Sequence, residues 1–226
     1  MGKDNQPKHR QKLRDISRRA AKRQPYESIL IVTEGLTEAN YLNEIRNQCR
    51  LSSTNVVALP SAYGTQPIQV VEYAVHLFEN GSVEKGIHPS VFDSVYIVFD
   101  RDEHQTYHAA LEKIKALNGI YQNLEGELAT FNAIPSVPCF EVWLLMHYQE
   151  VDASLHRKEA LSKLKSYLPD YEKGSIGNWK ATNHQLNDAI PRAVRRTTIT
   201  NAYDGEEPYT AMFELVKKLL ELTSVA

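Results

Sequence analysis

Five acidic residues stand directly behind apolar stretches that read as strands. Glu34 and Glu38 follow "ILIVT", Asp100 and Asp102 fall in "VFDRDEH", and Glu141 lies in "PCFEVW" behind "LATFNAIP". Two carboxylates about 5 Å apart repel by roughly 3 kcal/mol at an effective dielectric near 20, so a group of three or more requires protons or a cation. An all-oxygen donor set without supporting thiols favours Mg²⁺ or Mn²⁺ over zinc. Such an ion keeps part of its water shell and coordinates phosphate oxygens, which makes phosphoryl chemistry its natural use.

Each acid also has a plainer role to weigh. Glu38 is where the positive end of a helix dipole favours any acid. Glu34 precedes Gly35 at a turn where backbone approaches a ligand, which points to chemistry. Asp100 and Asp102 are two apart, so an extended backbone would direct both to one face and let them share a ligand. Glu141 opens a buried apolar run and needs a partner, and a metal would be one. His104 and His108 have helical i, i+4 spacing, yet no third nitrogen or sulfur ligand is in sight; His104 is expected beside the carboxylates or at a phosphate.

These residues depend on alternating elements for their placement. Strands are predicted at 26–33, 55–59, 94–100 and within 128–135. Between them, Tyr41, Leu42 and Ile45, then Ile68, Val71, Ala74, Val75 and Phe78, then Leu111, Ile114 and Leu117 mark helices by their spacing. Such alternation implies crossover connections and a mostly parallel sheet covered on both faces. Its strand ends share one edge, where open α/β sheets bind ligands at a topological switch point. After residue 150 the pattern turns helical, which divides the chain into a basic flexible arm (1–25), an α/β core (26–150) and a helical C-terminal part (151–226).

Composition narrows the class. The 226 residues are 42% hydrophobic and 24% charged, with no apolar run long enough to span a bilayer and no secretory leader, so a soluble cytoplasmic protein without membrane contact is expected. Cys49 and Cys139 are too few and too far apart for a disulfide framework or a zinc site. The net charge of −2 conceals an asymmetry: residues 1–24 hold nine Lys or Arg against two Asp, while the rest holds 17 against 26 Asp or Glu. A basic arm on an acidic body attracts polyanions. Arg18, Arg19, Lys22 and Arg23 in that arm, with Lys180, Arg192, Arg195 and Arg196 near the end, are candidate phosphate contacts.

The combination of "RQPYESILIVTEGLTEANYL", "VFDRDEH", "PCFEVWLLMHY" and "YEKG" resembles the RloB-like family, whose core is similar to the TOPRIM domain of topoisomerases, primases and old-type nucleases. The resemblance implies a TOPRIM/Rossmann-like α/β fold, a mostly parallel sheet flanked by helices. It gives Glu34 the general acid or base role and gives Asp100 and Asp102 a Mg²⁺ site, which Glu34 would share. Glu141 is the second catalytic candidate. Glu38, Arg101, His104 and Lys173 would support the site or touch substrate. "PYTAMFELVKKL" resembles a weaker family pattern, but Glu207 stands where relatives tend to have Asn, so it is assigned no catalytic role. Relatives are encoded with ATPase partners in bacterial anti-phage loci. The resemblance therefore implies a Mg²⁺-dependent nuclease acting on RNA, such as tRNA, or on DNA, with an ATPase partner. A non-catalytic module binding nucleotide or the ATPase, and a nucleotidyl transferase using the same site, are the alternatives.

Overall fold

The computed structural model describes residues 27–102, 104–203 and 208–223. Its strands are β1 (Ile29–Thr33), β2 (Val56–Pro60), β3 (Ser94–Asp100), β4 (Thr130–Val137) and β5 (Tyr209–Thr210). They form one sheet in the order β2-β1-β3-β4-β5, parallel except where β5 pairs antiparallel with the end of β4. From β1 the chain crosses to β2 on one side, then returns to β3 on the other. The β1 and β3 ends therefore flank the point where connections diverge, which is where such a sheet leaves a crevice.

Every residue of β1 is buried, which explains why "ILIVT" does not alternate polar with apolar. Leu30 and Val32 face a layer made by α2 (Pro67–Asn80) and α3 (Tyr107–Leu117), where Val70, Phe78, Leu111 and Ile114 meet them. Ile29 and Ile31 face the opposite way, toward α1 (Leu36–Gln48) and α4 (Glu141–Leu145). The same layer contains α5 (Arg157–Tyr167), α6 (Asn178–Thr182), α7 (Leu186–Thr197) and α8 (Met212–Glu221). Leu164, Trp179, Ala189 and Leu219 thus belong to one continuous core with Ile29 and Tyr41. The C-terminal helices complete one face of the sheet, so residue 150 does not separate two cores.

Two contacts fasten this layer to α1. The Trp143 Nε1 donates to the Tyr41 hydroxyl at 2.9 Å in a buried position. The Glu44 carboxylate accepts from the backbone of Trp179 at 3.1 Å and Lys180 at 3.3 Å, which satisfies amides at the start of α6. Among the described residues no helix is long and apolar enough to cross a membrane.

Candidate active site at the carboxyl edge of the sheet

Glu34 follows β1 without a break in pairing, its amide donating to the Val98 carbonyl at 2.9 Å. Its carboxylate returns to the neighbouring strand, where Oε2 accepts from the Asp100 amide at 2.9 Å. The opposite oxygen stands 3.5 Å from His104 Nε2. Glu34 therefore bridges the ends of β1 and β3. Burial pushes its pKa up to about 7; the Asp100 amide opposes that rise and Asp102 adds to it.

Gly35 has an ordinary extended backbone, so its value is spatial. A Cβ there would lie 3.1 Å from Glu38 Oε2, and the missing side chain lets α1 bring that carboxylate in beneath the turn. Glu38 is buried and its Oε2 has no hydrogen-bond partner. Burial, followed by the charges of Glu34 and Glu141, raises it to about 7. An acid serving only the helix dipole would remain solvated.

Asp100 ends β3 fully inside the cluster. Burial and then Glu38, Glu34 and Glu141 hold its carboxyl well above the usual range. Glu141, at the start of α4, is also buried; Oε1 accepts from the Tyr171 hydroxyl at 3.0 Å and pairs with Lys173 Nζ at 3.1 Å. Burial alone would raise its pKa, but Lys173 and the Cys139 thiol outweigh it and the net shift is downward. Its Oε2, like that of Glu38, has no partner. Four carboxylates thus share one crevice, and among the described residues only Glu141 has a lysine or arginine directly against it.

Lys173 reaches Glu141 because the "YEKG" loop is tied to α1. Gly174 has φ +78°, a left-handed conformation natural to glycine. Its amide donates to Thr37 Oγ1 at 2.8 Å and its carbonyl accepts from Asn40 Nδ2 at 2.9 Å. These bonds fix the loop that carries both Tyr171 and Lys173.

Asp102 departs from expectation. Its φ of +38° turns the chain out of the extended form that would have put it on the same face as Asp100. The backbone is held there by Asp102 N donating to Pro138 O at 3.0 Å, and the carboxylate takes Arg157 Nη1 at 2.6 Å. His104 precedes α3, so it does not share a helical face with the exposed His108. The Arg101 guanidinium lies over the Tyr107 ring, 5.9 Å from its centroid.

The C-terminal arginines mostly serve the fold. Arg196 is buried, with Nε donating to Pro208 O at 3.1 Å and Nη1 to Asp152 O at 3.3 Å, so it is corrected from phosphate contact to internal tie. Arg192 Nη1 donates to the Met146 and His147 carbonyls at 2.9 and 3.1 Å. Arg195 pairs with Glu150, while the Lys180 side chain is exposed. Arg18, Arg19, Lys22 and Arg23 lie outside the described residues.

Sequence reasoning missed Arg157 and the role of Tyr171. A signal existed for Arg157: with Lys158 it places two cations in the first turn of α5, where the dipole prefers acids.

A family model described as RloB-like protein matches residues 29–219. The chain belongs to the RloB-like family. The matched span of this RloB-like chain contains all five acids, Arg157, Tyr171 and Lys173, and leaves the basic arm outside it. Neither the curated proteins nor the solved structures returned a match.

Proposed function

We propose that this RloB-like protein is a Mg²⁺- or Mn²⁺-dependent nuclease with a TOPRIM-type core. It would hydrolyse phosphodiesters of nucleic acid, RNA such as tRNA ahead of DNA, as an effector of bacterial anti-phage defence working with an ATPase partner. The observation that carries this reading is the group of buried Glu38, Asp100 and Glu141 with partly buried Glu34 at the β1/β3 switch point, with two carboxylate oxygens unpartnered.

The donor set fits a hard divalent cation. Glu38 Oε2 and Glu141 Oε2 are buried oxygens without a hydrogen bond, and the charges of both carboxylates act on Asp100. No three His, Cys, Asp or Glu side chains among the described residues already form a metal-holding group. Lys173, Arg157 and the raised pKa values of Glu34 and Glu38 offset part of the repulsion. Asp100, Glu34 and Asp102 would hold the ion, with Glu38 and Glu141 adjoining. Bound there, a divalent cation supplies charge stabilisation at the phosphate oxygens.

The protein's own groups account for the proton. Burial raises the Glu34 pKa to about 7, so before a cation binds it can carry a proton at neutral pH, and a cation would favour its ionised, proton-accepting form. The Asp100 amide fixes one of its oxygens, and His104 flanks the other.

One observation favours a binding module instead: Arg157 and Lys173 already occupy Asp102 and Glu141, as they would in a site that never takes metal. Thermal melting in millimolar Mg²⁺ or Mn²⁺ separates the two readings. The nuclease reading expects the wild type to gain about 2.7 kcal/mol at a hundred times the Kd and Asp100→Asn to gain nothing. An unchanged wild-type Tm counts against the shared metal site.

A further inference from the structure

A cavity of about 330 Å³ opens beside the carboxylates, lined by His156, Arg157, Lys158, Leu161 and Lys173. Apart from Leu161, every lining side chain is a cation or an imidazole, on a body whose remaining charge is negative. Arg157 and Lys173 belong to both sites. Each has one nitrogen on a carboxylate, Asp102 at 2.6 Å and Glu141 at 3.1 Å, while about half of each side chain is exposed. A guanidinium has five N–H donors and an ammonium three, so both retain donors for another acceptor. His156 Nδ1 accepts from the Lys158 amide at 3.2 Å, which leaves the proton of the neutral ring on Nε2 as a further donor. Among the described residues no carboxylate pairs with Lys158, which is exposed.

We propose that this cavity is a phosphate subsite, seating the phosphate beside the scissile one on a nucleic-acid strand. We infer further that the two ion pairs are latches: an arriving phosphate draws Arg157 and Lys173 from Asp102 and Glu141 and frees those carboxylates for a divalent cation. The nucleic-acid identity of the ligand rests on the nuclease reading, whereas the anion site stands on the cavity and its side chains. Because phosphate binding removes the cations that compete with metal, the two ligands favour each other, and linkage makes the effect equal in both directions. The Arg157 donors not used by Asp102 can engage a phosphate through charge-assisted hydrogen bonds.

The test uses inorganic phosphate, first without metal. Wild-type protein is titrated by calorimetry and thermal shift at constant ionic strength, with chloride as the control anion. Saturable binding is expected, weakened about five- to tenfold in Lys158→Gln, a surface change that breaks no ion pair among the described residues and so keeps the folded protein available. Binding of Mg²⁺, at controlled free concentration, should tighten about tenfold when phosphate is present. In Arg157→Gln, metal should bind more tightly without phosphate and respond less to it, since only the Lys173 latch remains. A phosphate titration no different from chloride, or unchanged by Lys158→Gln, overturns the subsite. Phosphate binding that leaves metal affinity unaltered overturns the latch. Phosphate binding with no cleavage of any nucleic acid would remove the nuclease reading and leave the subsite standing; cleavage without phosphate binding would do the reverse.

Discussion

Replacing Glu38 by Gln should stabilise the metal-free protein, and the gain should depend on pH. In the unfolded chain this carboxyl ionises near 4.5, whereas in the fold it holds its proton up to about 7. The folded state therefore binds more protons across that window, so its stability falls as pH rises from 4.5 to 7 and stays reduced above it. At 1.36 kcal/mol per pH unit, the gap corresponds to roughly 3 kcal/mol at pH 8. Gln keeps the shape, removes the charge and offers an amide to neighbouring carboxylate oxygens. Its gain at pH 8 should approach 2–3 kcal/mol, a Tm rise of roughly 5–10 °C for a chain of this size. At pH 5 most of the advantage disappears, since wild-type Glu38 is then protonated in the fold. Urea melts of both proteins at pH 5 and pH 8, in chelator, measure the difference directly and cancel other titrating groups such as His147, whose burial lowers its pKa to about 4. A difference equal at the two pH values would refute the assignment of repulsion and burial to Glu38.

Lys173→Met leaves Glu141 as a buried anion without its cation, which should cost roughly 1–3 kcal/mol because the lysine is half exposed and Tyr171 still donates to the carboxylate. Adding Glu141→Gln should restore most of that loss in a double-mutant cycle, while strictly additive losses would deny the pair its coupling. Deleting residues 1–24 should weaken nucleic-acid binding irrespective of sequence and flatten the slope of log affinity against log salt by several units, at about 0.7 to 0.9 per phosphate. An unchanged slope would move the phosphate contacts to the folded body.

The acids were legible in the sequence because each follows a strand whose apolar run is unmistakable, and parallel strands share an edge. Glu34, Glu38, Asp100 and Glu141 meet there. Their partners were less legible because they arrive from far along the chain: Tyr171 is 30 residues beyond Glu141, and the loop carrying it is fixed by Gly174 against Thr37 and Asn40. Asp102 followed a local rule that failed, since aspartate tolerates the left-handed turn seen at φ +38° and no neighbouring residue announces it. The two-residue β5 is too short for any alternation to reveal, and α6 is a five-residue helix stabilised by Glu44 of α1 rather than by its own pattern. The helical spacing after residue 150 was readable, but its common core with β1 was not, because periodicity identifies a buried face and leaves its partner open.

Cleavage of labelled RNA and DNA by the purified chain, with and without an ATPase partner, tests the central claim most directly when Mg²⁺ is compared with chelator and wild type with Glu34→Gln. The account predicts strand scission only with metal, falling about 100-fold or more in the variant while the protein stays folded and still binds nucleic acid. Metal-independent scission, or Glu34→Gln activity within a few-fold of wild type, would contradict it.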